Sequence, residues 1–492
     1  MGIFIKLREI CAPIRFLVNA QKTPWYPALF AALCVIGGTH DYTVYIPILW
    51  ILAAFVLFSV LFTDDNKVFL TPLLMIFFSL GCDTEADAFV DSDGDMLAFI
   101  DKGAFVQVII ICIICVGAFV IRLIADGSVA SAFKSRRLFT WSIVAMDVAF
   151  LTNGLFSPSY DIINLGFGAF FAMGFTVVYF LVCGMLERSK DPVTYGCYCM
   201  LGTAYVAFLQ MTAVVVRLVL NNEFFIVYSD GTAVINKACL SLGWGVSTVV
   251  AAVFVLGIPA AMYLGKNRRF SLFYFASCVL FVIGTLVINV RSAMLVSVAV
   301  LILCTVLCCI NGKNRVRFRI YCAVSAVILI AVLIYINSCI APLSQIADKL
   351  FDLLRLNLHV NSGRDSLWSN GLSDFMACPL FGVGFNNGGY PDALRQNNVF
   401  SNMYHCIFVE FPGAMGIVGC LAFVIHLVSL GVLFFRKPGI DKLFIILVPL
   451  MIIGMSVSDN FFFYLHFQIF YGAFLALAEN KDLTAVQNVC AQ

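Results

Sequence analysis

Ser292-Ala-Met-Leu-Val-Ser-Val-Ala-Val-Leu-Ile-Leu-Cys304-Thr-Val-Leu-Cys308-Cys309-Ile310 carries no charge, and Asn311-Gly-Lys313-Asn-Arg315-Val-Arg317-Phe-Arg319 follows at once. About 20 apolar residues in a row cross the hydrocarbon of a bilayer as one helix, and a cluster of Lys and Arg directly after such a run marks its cytoplasmic end. The pattern recurs along the chain. Apolar runs lie at 25–39, 43–62, 68–82, 104–124, 138–154, 161–185, 193–219, 240–264, 270–289, 292–310, 318–338, 404–434, 443–458 and 460–479. The reading is an all-α polytopic membrane protein, one integral-membrane domain over residues 1–492, with about 14 transmembrane helices; the short first, third and thirteenth runs leave 12 to 14 as the range. Composition agrees: 62% of the residues are apolar and 12% charged, and mean hydropathy is +0.99. A soluble domain carries about 25% charged residues. Soluble enzymes, disordered chains, collagens and disulfide-stapled secreted modules are thereby excluded.

With alternate loops assigned to opposite sides, 22 of the 30 basic residues fall on the side of the N terminus and eight on the other. The first set includes Lys6, Arg8 and Arg15; Lys134, Arg136 and Arg137; Arg188 and Lys190; Lys266, Arg268 and Arg269; and Arg436, Lys437 and Lys442. The excess predicts cytoplasmic N and C termini. No small-residue cleavage site follows the first run, so no cleavable signal peptide is expected. The net charge of +2 points to no nucleic-acid partner. Most of the 19 cysteines lie in apolar runs, where a thiol packs as a small hydrophobe; the spacing Cys112-Ile-Ile-Cys115 has no partner pair and is read the same way. Cys339, Cys378 and Cys406 fall on the outer side, where a bridge is chemically allowed.

Two outer segments are long. Residues 83–103 form an acidic extracytoplasmic loop with Asp83, Glu85, Asp87, Asp91, Asp93, Asp95 and Asp101. Asp91-Ser-Asp93-Gly-Asp95 has its glycine fourth and Lys102 twelfth, not the sixth-position Gly and twelfth-position Glu of a calcium loop, so a solvated loop is the better reading. The second, 339–403, is too long for an idle connection and is expected to cover the active site. Its stretch Pro342–Leu356 has Ile346, Leu350, Phe351, Leu353 and Leu354 on one face, an amphipathic helix for the membrane surface. Ser362 caps a second short helix over 363–377, with Asp365 in its first turn, and Pro379 ends it. Phe381-Gly-Val-Gly-Phe-Asn-Asn-Gly-Gly389 must be a tight loop; its glycines serve either a phosphate or the turns themselves.

Charges at outer span ends are costly and therefore informative. Arg217 lies near the end of the seventh run, Arg291 in the short link between the ninth and tenth, and Arg364 at the start of the loop helix. His405 and Glu410 lie where the chain re-enters the membrane, just before Pro412-Gly413. Singly, each has a structural explanation: snorkelling for Arg217, a helix-end tie for Arg291, a solvated loop charge for Arg364, an interfacial imidazole for His405, a buried salt bridge for Glu410. Together, three arginines and a histidine on one membrane face make an anion site, because guanidinium forks match phosphate oxygens and imidazole serves as a base near neutral pH.

The run Asn361-Ser-Gly-Arg364-Asp-Ser-Leu-Trp368, then Pro379-Leu-Phe-Gly382-Val-Gly384-Phe, then His405 followed by Glu410, Gly413, Gly416 and Gly419, resembles the O-antigen polymerase and O-antigen ligase family, as does Arg291-Ser-Ala-Met-Leu. The resemblance covers about residues 200–435. Val290 stands where Ser is common, Ser292 replaces the usual Gly, and Cys406 follows His405 where Asn or Ser is usual; these departures bear on acceptor contacts. The resemblance implies a metal-independent, inverting glycosyltransferase, without cofactor, in the bacterial inner membrane. Its active site would be extracytoplasmic, and donor and acceptor would be undecaprenyl-diphosphate-linked glycans. It further implies that Arg217 and Arg291 hold the diphosphate, that Arg364 binds donor phosphate or orients the loop, that His405 is the base or a phosphate ligand, and that Glu410 is the alternative base. A repeat-unit polymerase, working with a chain-length regulator, is the first reading and a surface-glycan ligase the second. A lipid-linked oligosaccharide flippase fits less well, since mid-span charges are few, Asp147 being the clearest, and the two halves do not repeat.

Overall fold

The computed structural model describes residues 23, 25–38, 42–62, 105–125, 137–186, 191–227, 233–235, 240, 246–288, 290–339, 364–385, 403–436 and 439–490. These form α1 (Trp25–Gly38), α2 (Tyr42–Phe62), α3 (Phe105–Ala125), α4 (Thr140–Leu151), α5 (Ile162–Leu186) and α6 (Pro192–Leu220), then a short antiparallel hairpin, β1 (Phe225–Val227) with β2 (Ala233–Ile235). There follow α7 (Ser247–Asn267), α8 (Ser271–Ile288), α9 (Arg291–Ile310), α10 (Arg315–Cys339), α11 (Arg364–Ala377), α12 (Ile407–Phe435) and α13 (Ile440–Met455), a 3₁₀ turn (Phe461–Phe463) and α14 (Leu465–Cys490). Each apolar run of the sequence is occupied by one of these helices except 68–82, which lies outside the described residues, as do the acidic loop 83–103 and the amphipathic stretch Pro342–Leu356. The run expected from 240 becomes helical at Ser247. The short helix expected over 363–377 is α11. Among the described residues six helices, α5, α6, α7, α8, α9 and α12, are long and apolar enough to cross a membrane.

α7 is apolar all round and buried from Val249 to Leu264, as a helix at the centre of a bundle must be. It packs against α6, α8, α9 and α13, while α14 packs on α5 and α13, and α12 on α4 and α11. Large apolar side chains such as Ile283, Leu286, Ile302, Val306, Val424 and Val428 face outward, the surface a lipid environment requires. Cys115 and Cys304 are buried among apolar neighbours, and Cys378 and Cys406 are free thiols; the side chains of Cys112 and Cys339 lie outside the described residues.

The loops sort to two ends. At one, Arg268 Nη2 meets Asp191 Oδ2 at 2.8 Å, Lys266 pairs with Asp441, and Asn314 Nδ2 donates to Gly265 O at 2.8 Å. Asp191, the connections 265–270 and 311–315 and Asp441 therefore meet there, as the alternation of basic loops requires. The connections 152–161, 378–385, 403–406 and 456–464 meet at the other.

Candidate functional site

The second end is organised by a break in α12. Pro412 removes one helical donor, and Gly416 adopts φ 64°, ψ −153°, which ends the first half-helix and starts a second. Carbonyls and amides freed by the break need partners in a membrane. The 379–384 tract supplies them: Val383 N donates to Gly413 O at 2.9 Å and Gly384 N to Ala414 O at 3.0 Å, while Ile417 N donates to Pro379 O at 2.8 Å and Val418 N to Leu380 O at 3.2 Å. Gly382 is required here, since φ is 67° and a Cβ would strike the Ala414–Met415 backbone. Gly382 N donates to Cys378 O and Phe385 N to Asn153 Oδ1. The amides of Gly382, Val383, Gly384 and Phe385 are thus all engaged inside the protein. For Gly382-Val-Gly384 the turn reading holds, because no N–H among these four is left to cradle a phosphate; Asn386–Gly389 lie outside the described residues.

α11 lies against the start of α12. Gly371 leaves room for the Tyr404 ring and Val409, and Tyr404 Oη donates to Asp374 Oδ2 at 2.6 Å. Glu410 is buried in the first turn of α12, and its Oε2 accepts the Tyr404 N–H at 2.9 Å. Tyr404 is held at both backbone and ring, and the chain turns sharply after it. His405 has φ 53°, a left-handed conformation uncommon outside glycine and characteristic of sites whose geometry is held by their surroundings.

This corner aims His405 at a residue that sequence reasoning did not single out. His405 Nδ1 lies 3.1 Å from Asp459 Oδ1, in the turn between α13 and the 3₁₀ segment. Asp459 Oδ2 accepts from Thr248 Oγ1 at 2.8 Å, and Oδ1 also accepts from Asn460 N at 2.8 Å. The turn is fixed in its own right: Ile407 N donates to Ser456 O at 2.8 Å, and Phe462 N to Ser456 Oγ at 2.9 Å. Burial by itself would raise the Asp459 carboxyl, but the hydrogen bond and charge of His405, with the donors from Asn460 and Thr248, bring it below the usual carboxylate value. A carboxylate on Nδ1 selects the tautomer with its proton there and leaves Nε2 as the basic nitrogen. Among the described residues Nε2 has no hydrogen-bond partner, and the His405 side chain is 30% exposed against 8% for Asp459.

The arginines are distributed unevenly around this pair. Arg364, the first residue of α11, is half-buried, and α11 packs on α12, which follows His405. Arg291 opens α9, which runs parallel to α7; Cys308 Sγ against Met262 O at 3.6 Å pairs the far ends, so Arg291 starts level with Thr248. Its side chain lies outside the described residues. Arg217 is exposed in the last turn of α6 at the same end, and no described contact joins it to His405. A signal for Asp459 was present in the sequence: an acid in Ser458-Asp459-Asn460, between two apolar runs.

Residues 276–424 match the family model described as Wzy_C, O-antigen ligase. The matched segment includes Arg291, Arg364, the 379–384 tract, His405 and Glu410. Arg217, Thr248 and Asp459 lie outside it. No curated protein matches the chain.

Proposed function

We propose that the chain is an inverting, metal-independent glycosyltransferase of the outer face of the bacterial cytoplasmic membrane that polymerises undecaprenyl-diphosphate-linked repeat units. The observation that carries this reading is His405, paired with Asp459 through Nδ1 and with Nε2 unpartnered among the described residues. In the reaction, Nε2 removes the proton of an acceptor hydroxyl as its oxygen attacks the anomeric carbon of the donor. The bond from that carbon to the diphosphate breaks, and the lipid diphosphate leaves with the electron pair. Asp459 stabilises the imidazolium that forms. Arg364, with Arg291 and Arg217 from the neighbouring helix ends, takes up charge on the leaving diphosphate. Direct displacement without a covalent intermediate inverts the anomeric centre. Glu410, buried and engaged with Tyr404 N–H, positions the His405 corner.

The ligase reading uses the same donor and the same residues and differs only in its acceptor, lipid A-core. The fourteen apolar runs favour the polymerase, and the description of the matching family model favours the ligase. Purified protein given lipid-linked repeat units alone separates them: a polymerase lengthens chains, whereas a ligase is silent until lipid A-core is added. Loss of chain growth in His405→Ala supports the site, and growth at the normal rate in that variant overturns it.

A further inference from the structure

At the Lys- and Arg-rich end, a cavity of about 410 Å³ opens between the start of α8 and α10. Its polar part is made by Arg269, Arg317 and the hydroxyls of Ser271 and Tyr321, which lie 2.9 Å apart. Its apolar part is made by Phe270 and by Leu272, Phe273 and Ala276 in the first turns of α8. The Arg269 guanidinium sits over the Phe270 ring at 5.9 Å, and Arg317 Nη1 donates to Asn314 Oδ1 at 3.3 Å. The nearby carboxylates are taken, Asp191 by Arg268 and Asp441 by Lys266, so among the described residues neither Arg269 nor Arg317 has an acidic partner. Trp25 of α1 packs on Phe270 and Phe273, with ring centroids 5.7 and 5.4 Å apart, and is 56% exposed. An exposed Trp beside arginines is the arrangement of a membrane–water boundary.

We propose that this groove holds the phosphate of an anionic phospholipid, with its acyl chain lying along Leu272 and Phe273. Two guanidiniums with no acidic partner among the described residues supply the charge complementarity, and the hydrogen-bonded hydroxyl pair has one further O–H to donate. The apolar continuation, with Leu272 60% exposed, favours a lipid over a soluble phosphate. The site lies at the opposite end of the bundle from His405 and does not depend on the reaction proposed there.

The test uses the full-length protein, delipidated in detergent and titrated with phosphatidylglycerol, with phosphatidylcholine and inorganic phosphate as separate arms, and bound lipid read by native mass spectrometry. The double variant Arg269→Gln, Arg317→Gln should bind phosphatidylglycerol about 25-fold more weakly, from roughly fivefold per arginine. The control Lys313→Gln, Arg315→Gln removes equal charge from the same end outside the groove and should change binding by less than about threefold. Unchanged thermal unfolding of both variants shows that the fold persists. An equal loss in the control, no loss in the double variant, or displacement of phosphatidylglycerol by inorganic phosphate at matching concentration overturns the site.

Discussion

Replacing Asp459 with Asn is isosteric and leaves acceptors or donors for Thr248 and Asn460, yet it removes the charge that faces His405 Nδ1 at 3.1 Å. At that separation two unit charges interact by about 5 kcal/mol at an effective dielectric of about 20, an upper bound for the imidazolium formed in the transition state. A hydrogen bond to a charged partner contributes about 1.5–3 kcal/mol, the more realistic range for an imidazole that retains solvent contact. Asp459→Asn should therefore lower kcat by roughly 10- to 150-fold with KM for the lipid-linked donor nearly unchanged. The assay is turnover of a lipid-linked repeat unit by purified protein, run as a cycle with His405→Ala. Because Asp459 acts through His405, the double variant should be no slower than His405→Ala alone. Multiplying losses in the double variant, or a normal kcat in Asp459→Asn, would refute the coupling.

Glu410→Gln retains an acceptor for Tyr404 N–H and should stay within a few-fold of normal activity, whereas Glu410→Ala should lose most of it; equal, severe losses would restore Glu410 as the base. Gly382→Ala places a Cβ in the Ala414–Met415 backbone at positive φ and should destabilise the protein by more than about 2 kcal/mol, read as a lower Tm in detergent. Asp459 has a depressed carboxyl value, so its stabilising contribution is full above the unfolded value of about 4 and is lost as pH falls through the folded one. The wild-type protein should lose stability in that acid window, and Asp459→Asn should flatten the loss in a pH series of unfolding midpoints. Trp368→Cys and Met376→Cys, both exposed on α11, should react with an impermeant thiol reagent from outside cells; reaction from inside only would reverse the topology.

Helices were legible because burial in lipid demands long uninterrupted apolar runs, and α11 because Ser362, Asp365 and Pro379 punctuate it. Contacts that cross the chain were not. The 379–384 tract repairs a break more than thirty residues later in α12, and a hydrogen-bonded strap leaves no periodic trace; its glycines read equally well as a phosphate loop. His405 and Glu410 stood out as charges at a span end, but their division of labour depends on which backbone amide and which carboxylate lie beside them. Asp459 does not stand out because orientation is read from basic residues, and an acid in a short turn between two runs carries no topological weight.

The central claim is that the His405–Asp459 pair drives chain growth on a lipid-linked donor. Its most direct measurement is the length distribution of glycan made by purified protein from lipid-linked repeat units alone, compared between the wild type and His405→Ala by mass spectrometry. Lengthening chains are expected with the wild type and unreacted single units with the variant; single units with both proteins, or equal chains from both, would contradict the assignment.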